Sequence, residues 1–266
     1  MTLTYAGAHS PRLKAARRLA KRAFRDKDRA FLAEGPQAVG EAHAYHATIT
    51  DLFVTAQARS RHADLVDAIA AGHVPVHLVN DAVMSELAQT VTPQGLLAMC
   101  GFVDVPFDTV ITARSRLIAV LANVRDPGNA GTVLRTADAA GADAVIFADA
   151  SVDPYNGKCV RASAGSLFHL PVATGARLND VVRAAHDNGL TVLAADGRTG
   201  RPLDDANLTR PTAWMFGNEA WGLPDELLRE ADEAVAVPIY GKAESLNLAT
   251  AAAVCLYASA RVHAAQ

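Results

Sequence analysis

Apolar residues recur at Leu13, Ala16, Leu19, Ala20 and Ala23, the spacing of one helical face, so a helix is expected over 11–23. Residues 29–34 (RAFLAE) read as a short strand broken by Gly35-Pro36, and 37–45 as a helix. A strand at 49–55 (ITDLFVT), a helix at 63–71 and a strand at 74–79 follow. Asp81 is expected to cap a helix running to 88, and 96–102 is another strand. Helices alternating with strands describe a small α/β domain. The polar stretch 103–116 (VDVPFDTVITARSR) reads as a linker. The pattern then restarts with LIAVL at 117–121, a continuous apolar run of the kind buried on both faces of a parallel sheet. Strands are expected at 144–148, 191–195, 212–216 and 234–237, and helices at 130–140, 181–188, 224–230 and 245–263.

Charge changes this picture only when divided by position. The 266 residues carry 25 Lys+Arg and 28 Asp+Glu, a net of -3, which by itself argues against a polyanion partner. Nine of the bases and two of the acids fall between Arg12 and Arg29, a local +7 against -10 for the remainder. A basic N-terminal segment on an acidic body is the asymmetry of a polyanion-binding arm, although a solvated helix face has the same composition. Cys100, Cys159 and Cys255 are too widely spaced for a CxxC pair or a metal site and read as reduced thiols of a cytoplasmic protein. The N-terminal residues hold no apolar signal region, and no segment is apolar enough for a membrane span. The pairs His43/His46 and His73/His77 have metal-like spacing, but HVPVH contains Pro75 and reads as a strand entry, so no metal is expected.

Three loops in the second half lie where parallel sheets place ligands, beyond the carboxyl ends of strands. The first, NVRDPGNAG, offers Asn129 as a helix cap and runs on to Arg135. The second, GNEAWGLP, places Glu219 directly after a buried strand, where a carboxylate needs partners. The third, VPIYGKAESLNL, opens a long Ala-rich helix at Ser245 and Asn247. Each loop alone is explained by helix capping.

In this order they match a known pattern. The segments NVRDPGNAGTVLRTADAAGADAVIF, FGNEAWGLP and VPIYGKAESLNLATAAAV resemble the three motifs of the SpoU/TrmH family of RNA ribose 2'-O-methyltransferases, in the SPOUT superfamily. The intervening DPYNGKCVRASAGSLFHLPV is similar to the family's intermediate segment, and RDKDRAFLAEGPQAVGEA resembles, more weakly, its small ribosomal-protein-like substrate-binding domain. The layout is most similar to bacterial rRNA enzymes, including the thiostrepton-resistance type.

The resemblance implies an α/β protein with an RNA-binding domain at 1–104, a linker at 105–116 and a parallel-sheet SPOUT domain at 117–266 holding a deep trefoil knot. It implies S-adenosyl-L-methionine as cofactor, no metal, a homodimer and an RNA substrate, 23S rRNA before tRNA. Carried over, Leu193, Ala194, Ala195, Gly217, Asn218, Val237, Ile239, Leu246 and Leu248 form the cofactor cradle. Arg135 is the family's proposed base; Asn129 positions Arg135 or the ribose, Glu219 holds Arg135 or the loop, and Ser245 and Asn247 support the knot. Arg17, Arg18, Lys21, Arg22, Arg25 and Arg161 are the expected RNA ligands. A non-catalytic knotted RNA-binding protein and a small-molecule α/β enzyme are the alternatives; neither half contains the GxGxxG of a dinucleotide site.

Overall fold

The computed structural model describes residues 3–5, 10–88, 90–198 and 201–266. They form two compact units, one of residues 1–103 with 155–168, the other of 104–154 with 169–266. The helical segment at 157–163 thus belongs by packing to the first unit, although the sequence reading places it in the second domain.

In the first unit the chain runs β1 (Leu3–Tyr5), α1 (Pro11–Arg18), α2 (Arg22–Asp28), β2 (Ala30–Glu34), α3 (Pro36–Ala44), β3 (Ile49–Val54), α4 (Ala56–Arg61), α5 (Ala63–Ala71), β4 (Val76–Leu78), α6 (Asp81–Leu87) and β5 (Leu96–Gly101). The strand order is β1-β4-β3-β5-β2, parallel at the β1 side and antiparallel where β5 meets β3 and β2. One face buries Leu32, Phe53, Leu97 and Met99 against Leu13, Ala16 and Leu19 of the α1 segment and Val83, Met84 and Leu87 of α6.

The helix expected over 11–23 is two helices. Arg25 explains the break: its side chain is buried and its Nη1 donates to the carbonyls of Leu19 and Ala20, at 2.8 and 3.0 Å, capping the end of α1. The cap of α6 is Asn80, one residue before the expected Asp81, with Oδ1 accepting from Val83 N. Helix α4 has no counterpart in the sequence reading; Thr55 caps it.

The second unit contains β6 (Leu117–Ala122), α7 (Pro127–Ala139) and β7 (Ala144–Ala148); α8 (Gly157–Ser163) packs with the first unit. After it come β8 (Val172–Thr174), α9 (Leu178–Asp187), β9 (Thr191–Ala195), β10 (Arg201–Pro202), β11 (Thr212–Phe216), α10 (Asp225–Glu230), β12 (Glu233–Ala236) and α11 (Leu248–Ala264). The seven strands are all parallel, ordered β10-β12-β9-β11-β6-β7-β8. Every residue of β6, β7 and β11 is buried, as the unbroken apolar runs imply. Ile118, Val120, Ala122, Ala213 and Met215 form one face, packed with Val181, Val182 and Ala185 of α9. On the other, Trp214 lies under α11, its Nε1 donating to Ser259 Oγ at 2.9 Å, so the buried indole N–H is satisfied.

Candidate active site

All strands of the second sheet point the same way, so the loops after β6, β9, β11 and β12 emerge at one edge. Three of the four carry the residues singled out by sequence. The loop after β6 enters α7 through Asp126, whose Oδ1 accepts from Asn129 N at 2.8 Å. Asp126, not Asn129, is therefore the cap, with Pro127 at the first helical position, where its missing N–H costs nothing.

This frees the Asn129 side chain. Its Nδ2 donates to Glu219 Oε1 at 3.2 Å, and its Oδ1 accepts from Asn247 Nδ2 at 3.0 Å. Glu219 also accepts from the backbone N–H groups of Arg125 and Asp126, both at 3.1 Å. One carboxylate and two amides thereby join the chain after β6, the chain after β11 and the start of α11. Glu219 holds the loop and not Arg135. Burial works against its charge, but its own N–H, that of Arg125, the Asn129 amide and the Asp126 N–H outweigh it and hold the carboxyl below the usual carboxylate range.

Asn218 staples the same loop. Its Nδ2 donates to Asn123 O at 2.8 Å and its Oδ1 accepts from Ala220 N at 2.8 Å. Paired backbone hydrogen bonds join Asn218 and Gly222, Asn218 N to Gly222 O at 3.0 Å and Gly222 N to Asn218 O at 2.9 Å. Gly217 lies so close under this bridge that a Cβ would fall 2.4 Å from the Gly222 carbonyl carbon.

Helix α11 begins at Leu248, three residues later than expected, because Asn247 caps it through Ala249 N and Thr250 N. Ser245 lies before the helix, exposed, and no hydrogen bond of its hydroxyl is found among the described residues. Arg135 is exposed on α7, six residues and about 9 Å of helix axis beyond Asn129, and no acid pairs with it among the described residues.

Of the cradle residues, Leu193, Ala194, Gly217 and Asn218 are buried, and Leu193 and Ala194 lie within β9 with β11 and β12 paired on either side. Ala195, Val237 and Leu248 are half-buried, and Ile239 and Leu246 are exposed. Among the described residues no backbone–backbone hydrogen bond is found for 238–246, which leaves a run of backbone carbonyls and, beyond Pro238, N–H groups beside apolar side chains. Sequence reasoning missed Arg198. Its guanidinium grips Asp196 through Nε and Nη2 and reaches Leu223 O; a D-x-R spacing after a strand was the only available signal.

The arm residues have individual roles. Arg17 pairs with Glu86 at 2.7 Å, Arg18 with Asp28 and Arg22 with Asp26 at 3.6 Å, and Lys21 is exposed. The buried Arg25 is structural, as described. Arg161 of α8 pairs with Glu34 at 3.0 Å. His77 bonds the buried Asp51 at 2.8 Å, and no cluster of three metal-ligating side chains occurs among the described residues.

Comparison with known proteins places this geometry. Residues 116–257 match the model of the SpoU rRNA Methylase family, and residues 10–98 that of the MRM3-like substrate binding domain. The chain is 34% identical over 250 residues to the 23S rRNA (guanosine(2553)-2'-O)-methyltransferase RlmP of Bacillus subtilis, covering 94% of this chain and 96% of the relative. It is similar to the AdoMet-bound rRNA methyltransferase of Sinorhizobium meliloti, with TM-score 0.86, 31% identity and coverage of 98% and 97%. The SpoU methyltransferase AviRb of Streptomyces viridochromogenes in complex with AdoMet superimposes with TM-score 0.83, 27% identity and coverage of 95% and 98%. With the three motif loops joined as described at one edge of a parallel sheet, the chain belongs to the SpoU rRNA methylase family.

Proposed function

We propose that this protein transfers a methyl group from S-adenosyl-L-methionine to a ribose 2'-hydroxyl of ribosomal RNA. The observation that carries the reading is the Glu219–Asn129–Asn247 network, which joins the three motif loops at the start of the helix that carries the exposed, unpaired Arg135 less than two turns further on. The residues present fit the cofactor: the open backbone groups of 238–246, with Ile239 and Leu246 beside them, suit a flat apolar base with polar edges. Leu193, Ala194, Ala195, Gly217, Asn218, Val237, Ile239, Leu246 and Leu248 would hold it. When bound, it supplies a methyl carbon activated by its sulfonium.

With the cofactor held there, an incoming ribose 2'-hydroxyl would take the methyl group as the methyl–sulfur bond breaks, leaving S-adenosylhomocysteine, and the hydroxyl proton would pass to solvent. A guanidinium offers five N–H donors and no acceptor lone pair, so it serves as a hydrogen-bond fork and not as a base. We therefore assign Arg135 to orienting the hydroxyl and binding the adjoining phosphate through its forked donors. Asn129 and Glu219 hold the N-terminal turn of α7 in place, and Asn247 ties α11 to it.

The first unit matches a substrate-binding domain, and Arg17, Arg18, Lys21, Arg22 and Arg161 are its candidate phosphate ligands. Two full-length relatives, the Bacillus subtilis and Sinorhizobium meliloti proteins, are rRNA methyltransferases by name, which favours rRNA over tRNA. We extend the reading to a homodimer, supported by the exposed apolar residues Val254 and Tyr257 on α11, and to the cytoplasm, where rRNA lies. Among the described residues no helix is long and apolar enough to cross a membrane. The trefoil knot implied by the family belongs to the same reading: after edge-side β12 the chain returns as α11 to pack on β6, β9 and β11.

Transfer of tritium from labelled S-adenosylmethionine to bulk RNA tests the proposal. Label in rRNA at a 2'-O position supports it; absence of both cofactor binding and transfer refutes it. Arg135→Ala is expected to lower kcat by roughly 100-fold or more while cofactor affinity stays within a few-fold. Near-normal turnover would remove Arg135 from the site.

A further inference from the structure

The 217–223 loop is fastened at its start by Asn218 and Glu219, both to the chain after β6. Its other end is fastened separately, to the chain after β9. Asp196 is buried, and its N–H reaches across to Val235 O of β12 at 3.0 Å. Its carboxylate accepts from Arg198 N at 2.8 Å, from Nε at 3.1 and 3.2 Å and from Nη2 at 2.7 Å. The same Nη2 donates to Leu223 O at 2.9 Å. The guanidinium lies against Gly222, where φ is +71° and an added Cβ would meet Nη2 at 3.6 Å. Burial opposes the Asp196 charge, but the hydrogen bonds and charge of Arg198 outweigh it and keep the carboxyl low.

We infer that Arg198, anchored by Asp196, is a positioning residue that fixes the spacing between the ends of β9 and β11 before the cofactor binds. The inference rests on the cofactor reading above, since Leu193, Ala194, Ala195, Gly217 and Asn218 on those two ends are its proposed cradle. A loop already held at both ends loses little freedom on binding; without Arg198 the loop keeps its Asn218–Gly222 bridge and the buried Leu223 side chain but loses its tie to the chain after β9, so the ligand itself must set that spacing. The clamp does not touch α7, so its loss acts on cofactor affinity more than on the transfer step. Lysine cannot replace it fully, because a single ammonium lacks the planar fork that serves Asp196 and Leu223 O together.

The test is calorimetric titration of S-adenosylhomocysteine into the full-length protein and its Arg198→Ala and Arg198→Lys variants, with thermal melts and steady-state kinetics. Arg198→Ala is expected to raise the Kd by roughly tenfold and the cofactor KM in parallel, with a smaller change in kcat. Arg198→Lys should fall between the two. Wild-type Kd values in both variants, or a loss of kcat at unchanged KM, would overturn the clamp. If Arg198→Ala does not fold, an unaltered Kd in a folded Arg198→Lys protein overturns it equally. Failure of the wild-type protein to bind S-adenosylhomocysteine would instead strike the cofactor reading, and the clamp with it.

Discussion

Gly217→Ala is the smallest change expected to dismantle the site. The added Cβ would lie 2.4 Å from the Gly222 carbonyl carbon, 2.6 Å from its oxygen and 2.6 Å from Leu223 N. All three are backbone atoms, so no side-chain rotation relieves the overlap. The Asn218–Gly222 bridge must open, losing two backbone hydrogen bonds of 3.0 and 2.9 Å and straining the Asn218 amide bond to Asn123 O. At about 1 kcal/mol net for each, the closed loop is disfavoured by roughly 2–3 kcal/mol. If that falls on cofactor binding, affinity drops about 30- to 150-fold. Because the loop can open without unfolding the sheet, the melting temperature should fall by less than about 10 °C. Titration with S-adenosylhomocysteine and a thermal melt read the two effects. Gly197→Ala, where an added Cβ meets nothing within 4 Å, is the matched control. Wild-type affinity in Gly217→Ala would show that the loop is not part of the cradle.

Two further outcomes follow from the charges. Glu219 has its folded-state pKa depressed, so its contribution is full above the ordinary carboxylate value of about 4.3 and is lost as pH falls through the folded value. Glu219→Gln should therefore cost about 1 kcal/mol at pH 7, limited by solvent screening, and the gap in melting temperature should begin to shrink only below the ordinary carboxylate value and close as pH falls through the depressed folded value. A gap independent of pH would contradict this. Reversing Arg18, Lys21 and Arg22 to Glu should raise the RNA KM and flatten its salt dependence, with stability little changed; an unaltered salt slope would exclude the arm from RNA binding.

Five of the seven strands of the second sheet, β6, β7, β9, β11 and β12, were legible almost residue by residue because burial leaves uninterrupted apolar runs, whereas β8 and β10, three and two residues long, are too short to leave a pattern. Leu117, Ala119 and Leu121 face one way and Ile118, Val120 and Ala122 the other, and all are apolar. The first unit was harder. A single amphipathic stripe spans 11–23, and nothing in the spacing announces that Arg25 folds back to cap α1 at Leu19. Helices α4 and α8 are six and seven residues long, too short for a periodicity to repeat. The packing of α8 with β2, more than 120 residues earlier, is a long-range event that no local pattern encodes.

At the site, residue types were legible but partners were not. In sequence Asn129 reads as a cap, because Asn before a helical pattern usually is one. The cap is Asp126, and this is what makes the network possible: an Asn129 occupied with its own helix could not bridge Glu219 and Asn247. The basic arm needs the same correction. Nine cations against two acids counts only acids nearby in sequence, while Arg12 and Arg17 find Asp51 and Glu86 from distant elements and Arg25 is spent on carbonyls. Exposed pairs such as Arg18–Asp28 and Arg22–Asp26, at 3.6 Å, are worth about 0–1 kcal/mol and can be traded for a phosphate. Arg25 cannot be traded without freeing two carbonyls. The salt slope of RNA binding should accordingly count fewer phosphates than the nine the sequence offers, with Lys21 and the weakly paired Arg18 and Arg22 among those that remain.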